Sequence, residues 1–343
     1  MKVFVTGGAG FIGSHVCEFY AKRGDSVLAY DNLTKHELLR TGYGVESSRS
    51  YNVDVLKDLG VKLLRADVRD RERVLDSASG CDFIVHTAAQ PAMTIGMEAP
   101  GLDFDTNALG TFNVLEAARR LKIPAVTCST IHVYGNRINE SLTEEQTRYT
   151  RSPAEIDETF PIEQGLMTPL HASKLAGELY VRTYIDTYGV QAAAFRLTGL
   201  YGPRQFGGED HGWVANFAIR AVLGKPLTVY GTGKQVRDIL YASDVVEAFH
   251  AFYTHRRSGI FVIGGGRPNA ISLLECIQLL AGALKVDPRI EFGPERRGDL
   301  RYFVCDSAKA RRELDWTPRV GVREGLSRLV AWVKENTEVF QAP

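Results

Sequence analysis

Along the first two hundred residues, short apolar runs alternate with stretches whose apolar positions recur three and four apart. Residues 2–6 (KVFVT) are β-branched and apolar, a glycine turn follows, and Phe11, Ile12, Val16, Phe19 and Tyr20 then fall on one helical face. The pattern predicts strand, tight turn, helix. Residues 26–30, ending at Asp31, predict a second buried strand, and 61–64, 83–86, 125–128 and 191–196 repeat it. Two longer helices are expected at 105–121 and 169–188, the second with Pro169 in its first turn, where the missing N–H costs nothing. Strands alternating with helices imply an α/β chain built on a parallel sheet covered on both faces. After Gly199 the alternation loosens into Gly- and Pro-rich turns. Residues 239–255 nevertheless look like a helix that returns to the main sheet. The expected organisation is therefore a large domain of residues 1–198 plus about 234–258, and a smaller, discontinuous α/β lobe of 199–233 and 259–343.

Composition narrows the function. Of 343 residues, 44% are hydrophobic and 24% charged, as in an ordinary globular protein. Lys plus Arg and Asp plus Glu are both 41, so no net field draws the chain to nucleic acid or an anionic membrane, and an anionic ligand must be met by a local site. Five cysteines, none in CxxC spacing, argue against a disulfide framework or metal site and for a reducing compartment. The apolar N-terminus meets Gly7, Gly8 and Gly10 too soon for a signal-peptide core, and no apolar run approaches the roughly 20 residues of a membrane helix. A soluble cytoplasmic protein without a metal is expected.

Chemistry begins at the first turn. Gly7, Gly10 and Gly13 lie in TGGAGFIG, between a strand and a helix, where backbone N–H groups can approach a pyrophosphate and the helix N-terminus can stabilise its charge. A structural turn would use the same glycines. Asp31, 18 residues beyond Gly13 at the end of the second strand, is placed to accept hydrogen bonds from a ribose diol. Its charge also repels a 2′-phosphate, favouring NAD over NADP, although Lys35 and Arg40 nearby would suit the latter. The predicted fold is thus a Rossmann-type doubly wound sheet. Asp67 and Val68 after the third strand could reach the adenine, and Ala88, Ala89 and Gln90 after the fourth put small residues where backbone must approach a cofactor.

TGGAGFIG, Asp31-Asn32, Ala66-Asp67-Val68, His86 to Ala89, Asn107, Ser129-Thr130 with Val133-Tyr134-Gly135, Lys174, Arg196, Tyr201 to Arg204 and Arg237-Asp238 occur in an order that resembles the extended short-chain dehydrogenase/reductases that modify nucleotide sugars. Residues 90–94, 145–150, 201–206, 211–214 and 233–245 look most like the CDP-tyvelose 2-epimerase branch of that family. The resemblance implies NAD bound in the larger domain and a nucleoside diphosphate sugar held across both lobes. An epimerase of this kind oxidises a ring carbon, C2 in that branch, and returns the hydride to its other face. A 4-epimerase, or a dehydratase, is the enzymatic alternative; the latter would want a carboxylate pair after Thr130, where Ile131-His132 stands. A catalytically weak binding protein is the other. The resemblance adds Phe11, Ile12, Asn32, Asn107 and Lys174 to the cofactor set. It assigns the catalytic cation to Lys174 and the hydroxyl that holds the reacting oxygen to Thr130. Gln90, Met93 and Thr94 would face the sugar. Arg204, Arg237 and Arg301 are candidate diphosphate cations, Arg237 and Arg301 by resemblance, with Asp299 near the nucleoside ribose. Trp213 and Phe217 suit either core or nucleobase contact. A homodimer pairing the helices at 105–121 and 169–188 is also implied, and Phe112, Leu115, Leu175, Leu179 and Tyr184 could form that seam or the core.

One position departs from the family. Its proton acceptor is a tyrosine four residues before the lysine, close enough for the ammonium to lower the phenol pKa. Here that position is Leu170, which carries no proton. His171 titrates in the right range and stands beside it, but is rotated by about 100° around the helix. His132, Tyr134 and Glu163 are the other candidates for a relocated base.

Overall fold

The computed structural model describes residues 1–36, 41 and 45–340. Seven parallel strands form the central sheet: β1 (Lys2–Thr6), β2 (Ser26–Asp31), β3 (Lys62–Arg65), β4 (Phe83–His86), β5 (Ala125–Thr130), β6 (Ala192–Leu197) and β7 (Gly259–Ile263). Their order is β7-β6-β5-β4-β1-β2-β3. The register puts Val5 beside Ala29 on one side and Val85 on the other. Both faces are covered, so β4 (FIVH) and β6 (AAAFRL) are buried at every position. One core contains Val3, Val5, Val16 and Phe249, the opposite one Phe4, Ile84, Val114 and Val181.

The strands and the 169–188 helix fall where the apolar pattern puts them, with two changes around the smaller lobe. Gly259–Ile263, expected in that lobe, pairs with β6 as the edge of the central sheet. Residues 239–241, expected to open a helix, end the Val236–Tyr241 strand, and the helix is Ala242–His255. That strand belongs to a separate four-stranded sheet with Gly199–Tyr201, Ala270–Ser272 and Tyr302–Phe303. Its six residues are all buried, a pattern in which strand and helix look alike. Helices Trp213–Val222, Leu273–Leu284 and Val322–Glu335 complete this lobe around Phe217, Ile277 and Leu329.

The expected 105–121 helix starts with a π-helical turn, Phe104–Leu109, and continues as Gly110–Leu121. Leu115, Leu175 and Tyr184, named as possible seam residues, are buried within the chain, whereas Leu179 is 46% exposed beside the similarly exposed Tyr180. Phe217 is 2% exposed and belongs to the lobe core. Arg40 lies outside the described residues. Among the described residues, no helix is long and apolar enough to cross a membrane.

Candidate active site

The strand order reverses between β1 and β4, so the connections leaving their carboxyl ends diverge and open a crevice. A cleft of about 890 Å³ occupies it and extends to the smaller lobe. Gly7, Gly10, Phe11, Ile12 and Gly13 line its near end, where the Phe11–Lys22 helix begins. Gly7 has φ +69°, and a Cβ there would fall 2.6 Å from the Ala88 nitrogen; one on Gly13 would fall 2.0 Å from the Gly7 oxygen. Only glycine permits a turn this close, and the turn presents backbone N–H groups at a helix N-terminus.

Asp31 and Asn32 border the same end. The Asp31 carboxylate accepts N–H groups from Ala9 at 3.0 Å and Leu33 at 2.8 Å, so the turn and the acid are set against each other. An uncluttered turn with an acid at the next strand end fits a pyrophosphate and a ribose diol. Asp67 and Val68 are not among the lining residues. Asp67 accepts from Arg69 and from Asn32, and the Arg69 hydrogen bonds hold its carboxyl down at about 2. Val68 is buried in the sheet core. Hydrogen bonding and packing thus keep both back from the lining.

Ala88, Ala89, Gln90 and Met93 line the cleft beyond β4. The Gln90 amide turns inward, donating to the Ala92 oxygen at 2.9 Å and to Asp103 at 2.5 Å while accepting the Ala92 N–H. It shapes the loop instead of facing a sugar. Asn107 lies behind the wall, accepting the Gln90 N–H at 2.9 Å and donating to Ser173 at 3.1 Å, a tie between this loop and the 169–188 helix. Thr94 is not a lining residue; its hydroxyl donates to Asp210 of the smaller lobe at 2.6 Å.

Thr130, His132, Leu170 and His171 meet at the cleft floor. Thr130 ends β5, and its hydroxyl oxygen accepts the His132 N–H. Lys174 lies just behind, its Nζ donating to the Cys128 oxygen at 3.0 Å, and burial lowers its pKa. Of the alternative bases, Tyr134 is buried with its hydroxyl donating to the Asp157 oxygen, and burial pushes its pKa up. Glu163 is exposed and outside the lining. The histidines stack, ring centroids 4.4 Å apart and planes within 10°.

At the far end, Arg204, Arg237, Asp299, Trp213 and Phe217 line the cleft. Arg237 donates to Asp299 at 3.0 Å, and Arg204 bonds Glu18 of the first helix. Arg301, expected here, is absent from the lining and forms a bidentate pair with Glu295 on the surface. The cation that takes its place is Arg296, over the Tyr230 ring at 4.0 Å and beside Asp210 at 3.4 Å. Alternation along a short strand decides this: residue 302 pairs into the lobe sheet, and the preceding side chain falls outward. Sequence reasoning did not place Arg296, Tyr230 or Glu209 at the cleft: the Arg-Arg-Gly-Asp run at 296–299 is the one signal for the first, and no motif marks the other two.

Two lobes, a Rossmann-type sheet with its glycine turn at the switch point, and a cation-lined second lobe define a dinucleotide-dependent enzyme. The NAD dependent epimerase/dehydratase family model matches residues 3–264, and the chain belongs to that family. It is 33% identical to the CDP-paratose 2-epimerase of Salmonella typhi, over 97% of this chain and 99% of that one. The Thermus thermophilus UDP-glucose 4-epimerase in complex with NAD superposes with TM-score 0.79 at 34% identity, covering 98% and 100% of the two chains. The Thermotoga maritima UDP-glucose 4-epimerase with UDP-glucose gives 0.80 at 27%, with the same coverage.

Proposed function

We propose that this NAD-dependent enzyme inverts C2 of a nucleoside diphosphate sugar, with cytidine diphosphate as the favoured carrier. The reading rests on one observation: a single cleft runs from the glycine turn and Asp31 to Arg237 and Arg296. The likeness to a CDP-paratose 2-epimerase over nearly the whole chain supports the carbon and the carrier. In this reading Gly7, Gly10, Gly13 and Asp31 hold NAD, which accepts a hydride from a ring carbon and returns it to the opposite face. Arg237 and Arg296 pair with the diphosphate, for which guanidinium geometry is suited. Thr130 fixes the reacting oxygen, and the Lys174 charge behind it stabilises negative charge developing there. In this reading the helices at 105–121 and 169–188 pair in a homodimer, which the exposure of Leu179 and Tyr180 supports and sedimentation at micromolar concentration tests.

Incubation with CDP-, UDP-, GDP- and TDP-sugars in heavy water, followed by NMR, is the decisive measurement. Inversion at C2 of a CDP-sugar without deuterium at that carbon is expected. Solvent deuterium there would overturn hydride return, and inversion at C4 alone would overturn the assignment of the carbon.

A further inference from the structure

His132 and His171 stack beside Leu170 at the cleft floor, and their hydrogen bonds say which nitrogen of each ring carries the proton. The Thr168 backbone N–H donates to Nδ1 of His171 at 3.2 Å, closing the first turn of the Pro169–Tyr188 helix. A nitrogen that accepts an N–H bears no proton, so the His171 proton is on Nε2. His132 Nδ1 is sealed from solvent with no hydrogen-bond partner. A sealed N–H donor without an acceptor is costly, and placing the proton on Nε2 instead keeps that donor where it can find a partner. Both rings border the cleft beside Thr130, so Nε2 is the nitrogen each has left to offer a ligand.

We infer that His132 and His171 are paired neutral hydrogen-bond donors to the reacting oxygen of the sugar, not proton acceptors. The inference rests on the proposed epimerase reading. Burial keeps both rings neutral: His171 is pushed down to about 4, and His132 well below its ordinary value, with His171 and the Arg237 charge adding to the effect. Protonating either ring would put a second imidazolium N–H on an Nδ1 that has no acceptor to meet it. In this arrangement the two neutral N–H groups and the Thr130 hydroxyl would stabilise negative charge on that oxygen while its proton passes to water in the solvent-open cleft, and the alcohol would take a proton back from there when hydride returns.

The test starts with ¹⁵N-histidine NMR of the full chain, which reads tautomers without turnover. Both residues should show Nε2–H at pH 7 and no imidazolium down to pH 5.5, and both signals should move when CDP-glucose is added. An Nδ1–H tautomer or an imidazolium at pH 7 for either ring would overturn the inference, as would signals unmoved by CDP-glucose whose binding calorimetry detects. Should calorimetry find no nucleoside diphosphate sugar bound, the epimerase reading falls, while the tautomers still decide whether these rings are donors. Kinetics supplies the second arm. Gln can reproduce an Nε2–H donor but cannot accept a proton, so His132→Gln should hold kcat within about tenfold, whereas His132→Phe should lose about 100-fold in kcat with KM little changed. Equal collapse of the Gln and Phe variants, with wild-type circular dichroism, would mean that His132 takes a proton.

Discussion

The carboxylate of Asp31 accepts the backbone N–H of Ala9 at 3.0 Å, tying the end of β2 to the glycine turn that leaves β1. One acid therefore shapes the turn and presents negative charge where a ribose would lie. Asp31→Ala is expected to weaken NAD binding at least tenfold, as for loss of a charged hydrogen bond, and to erase discrimination against NADP. Mass spectrometry of nucleotide released from the purified protein, with fluorescence titration of both cofactors, checks it. Retained preference in the variant would remove Asp31 from the cofactor site.

Gly13 makes a sharper steric demand. Its hypothetical Cβ lies 2.0 Å from the Gly7 carbonyl oxygen, a contact that backbone cannot relieve by a rotamer change. Gly13→Ala should cost about 1–3 kcal/mol of stability through overpacking and should release the cofactor as the turn shifts. A melting temperature and NAD content equal to wild type would contradict the close-packed turn.

The arginines divide into one that lines the cleft and one that does not. Arg296 borders the cleft, and Arg301 is held on Glu295 at the surface. Arg296→Ala should lower nucleotide-sugar affinity by about 10–100-fold, since a charge-assisted pair is lost, while Arg301→Ala should change it less than twofold. Calorimetry with the free nucleoside diphosphate separates them, and the reverse order would restore Arg301 to the site.

These arginines show where the sequence stops being legible. Six strands of the central sheet could be read because each is a short apolar run bounded by glycine or polar turns, and the Pro169–Tyr188 helix because proline and periodicity mark its start and face. The meeting of the glycine turn with Asp31 at one end of the cleft was legible too, since it depends on spacing along the chain. Arg296 against Arg301, and the inward turn of Gln90, depend on which way one side chain points. That is decided by partners such as Glu295 and Asp103, distant from any motif. The Val236–Tyr241 strand was hidden for a related reason: buried on every side, it has no alternation to betray its period.

Acid should unfold this protein early. Burial holds His15 and His86 at about 3 and His171 at about 4, with Arg204 adding to the effect on His15 and Lys174 to that on His86. Because these folded values lie below that of a free histidine, the unfolded chain takes up protons first. Stability should be level above about pH 6.5 and fall as pH drops from there toward 4. At pH 5.5 each ring contributes a loss of about 1.4 kcal/mol, or about 4 kcal/mol for the three. Urea unfolding at pH 7.5 and 5.5 measures it; equal midpoints would show that the rings charge in the folded state.

Lys174 sets function against stability. Its ammonium is buried, donates to the Cys128 carbonyl, and has a pKa lowered chiefly by desolvation, with Asp103 opposing from a distance. A lysine whose folded pKa lies below its unfolded one is a stability cost at every pH where the unfolded chain would charge it, neutral pH included. Lys174→Met keeps the chain's bulk and removes that cost, but leaves the Cys128 carbonyl without its donor, so stability should be unchanged or higher by about 1 kcal/mol. Catalysis should move the other way. If this charge stabilises the developing alkoxide next to Thr130, kcat should fall by about 10²–10³, the scale of a lost preorganised electrostatic group. Thermal melting and steady-state kinetics on one preparation test both halves. A variant that melts well below wild type would make Lys174 a structural residue, and one that keeps its kcat would place the stabilising charge elsewhere, with Arg237 the next cation on the cleft wall.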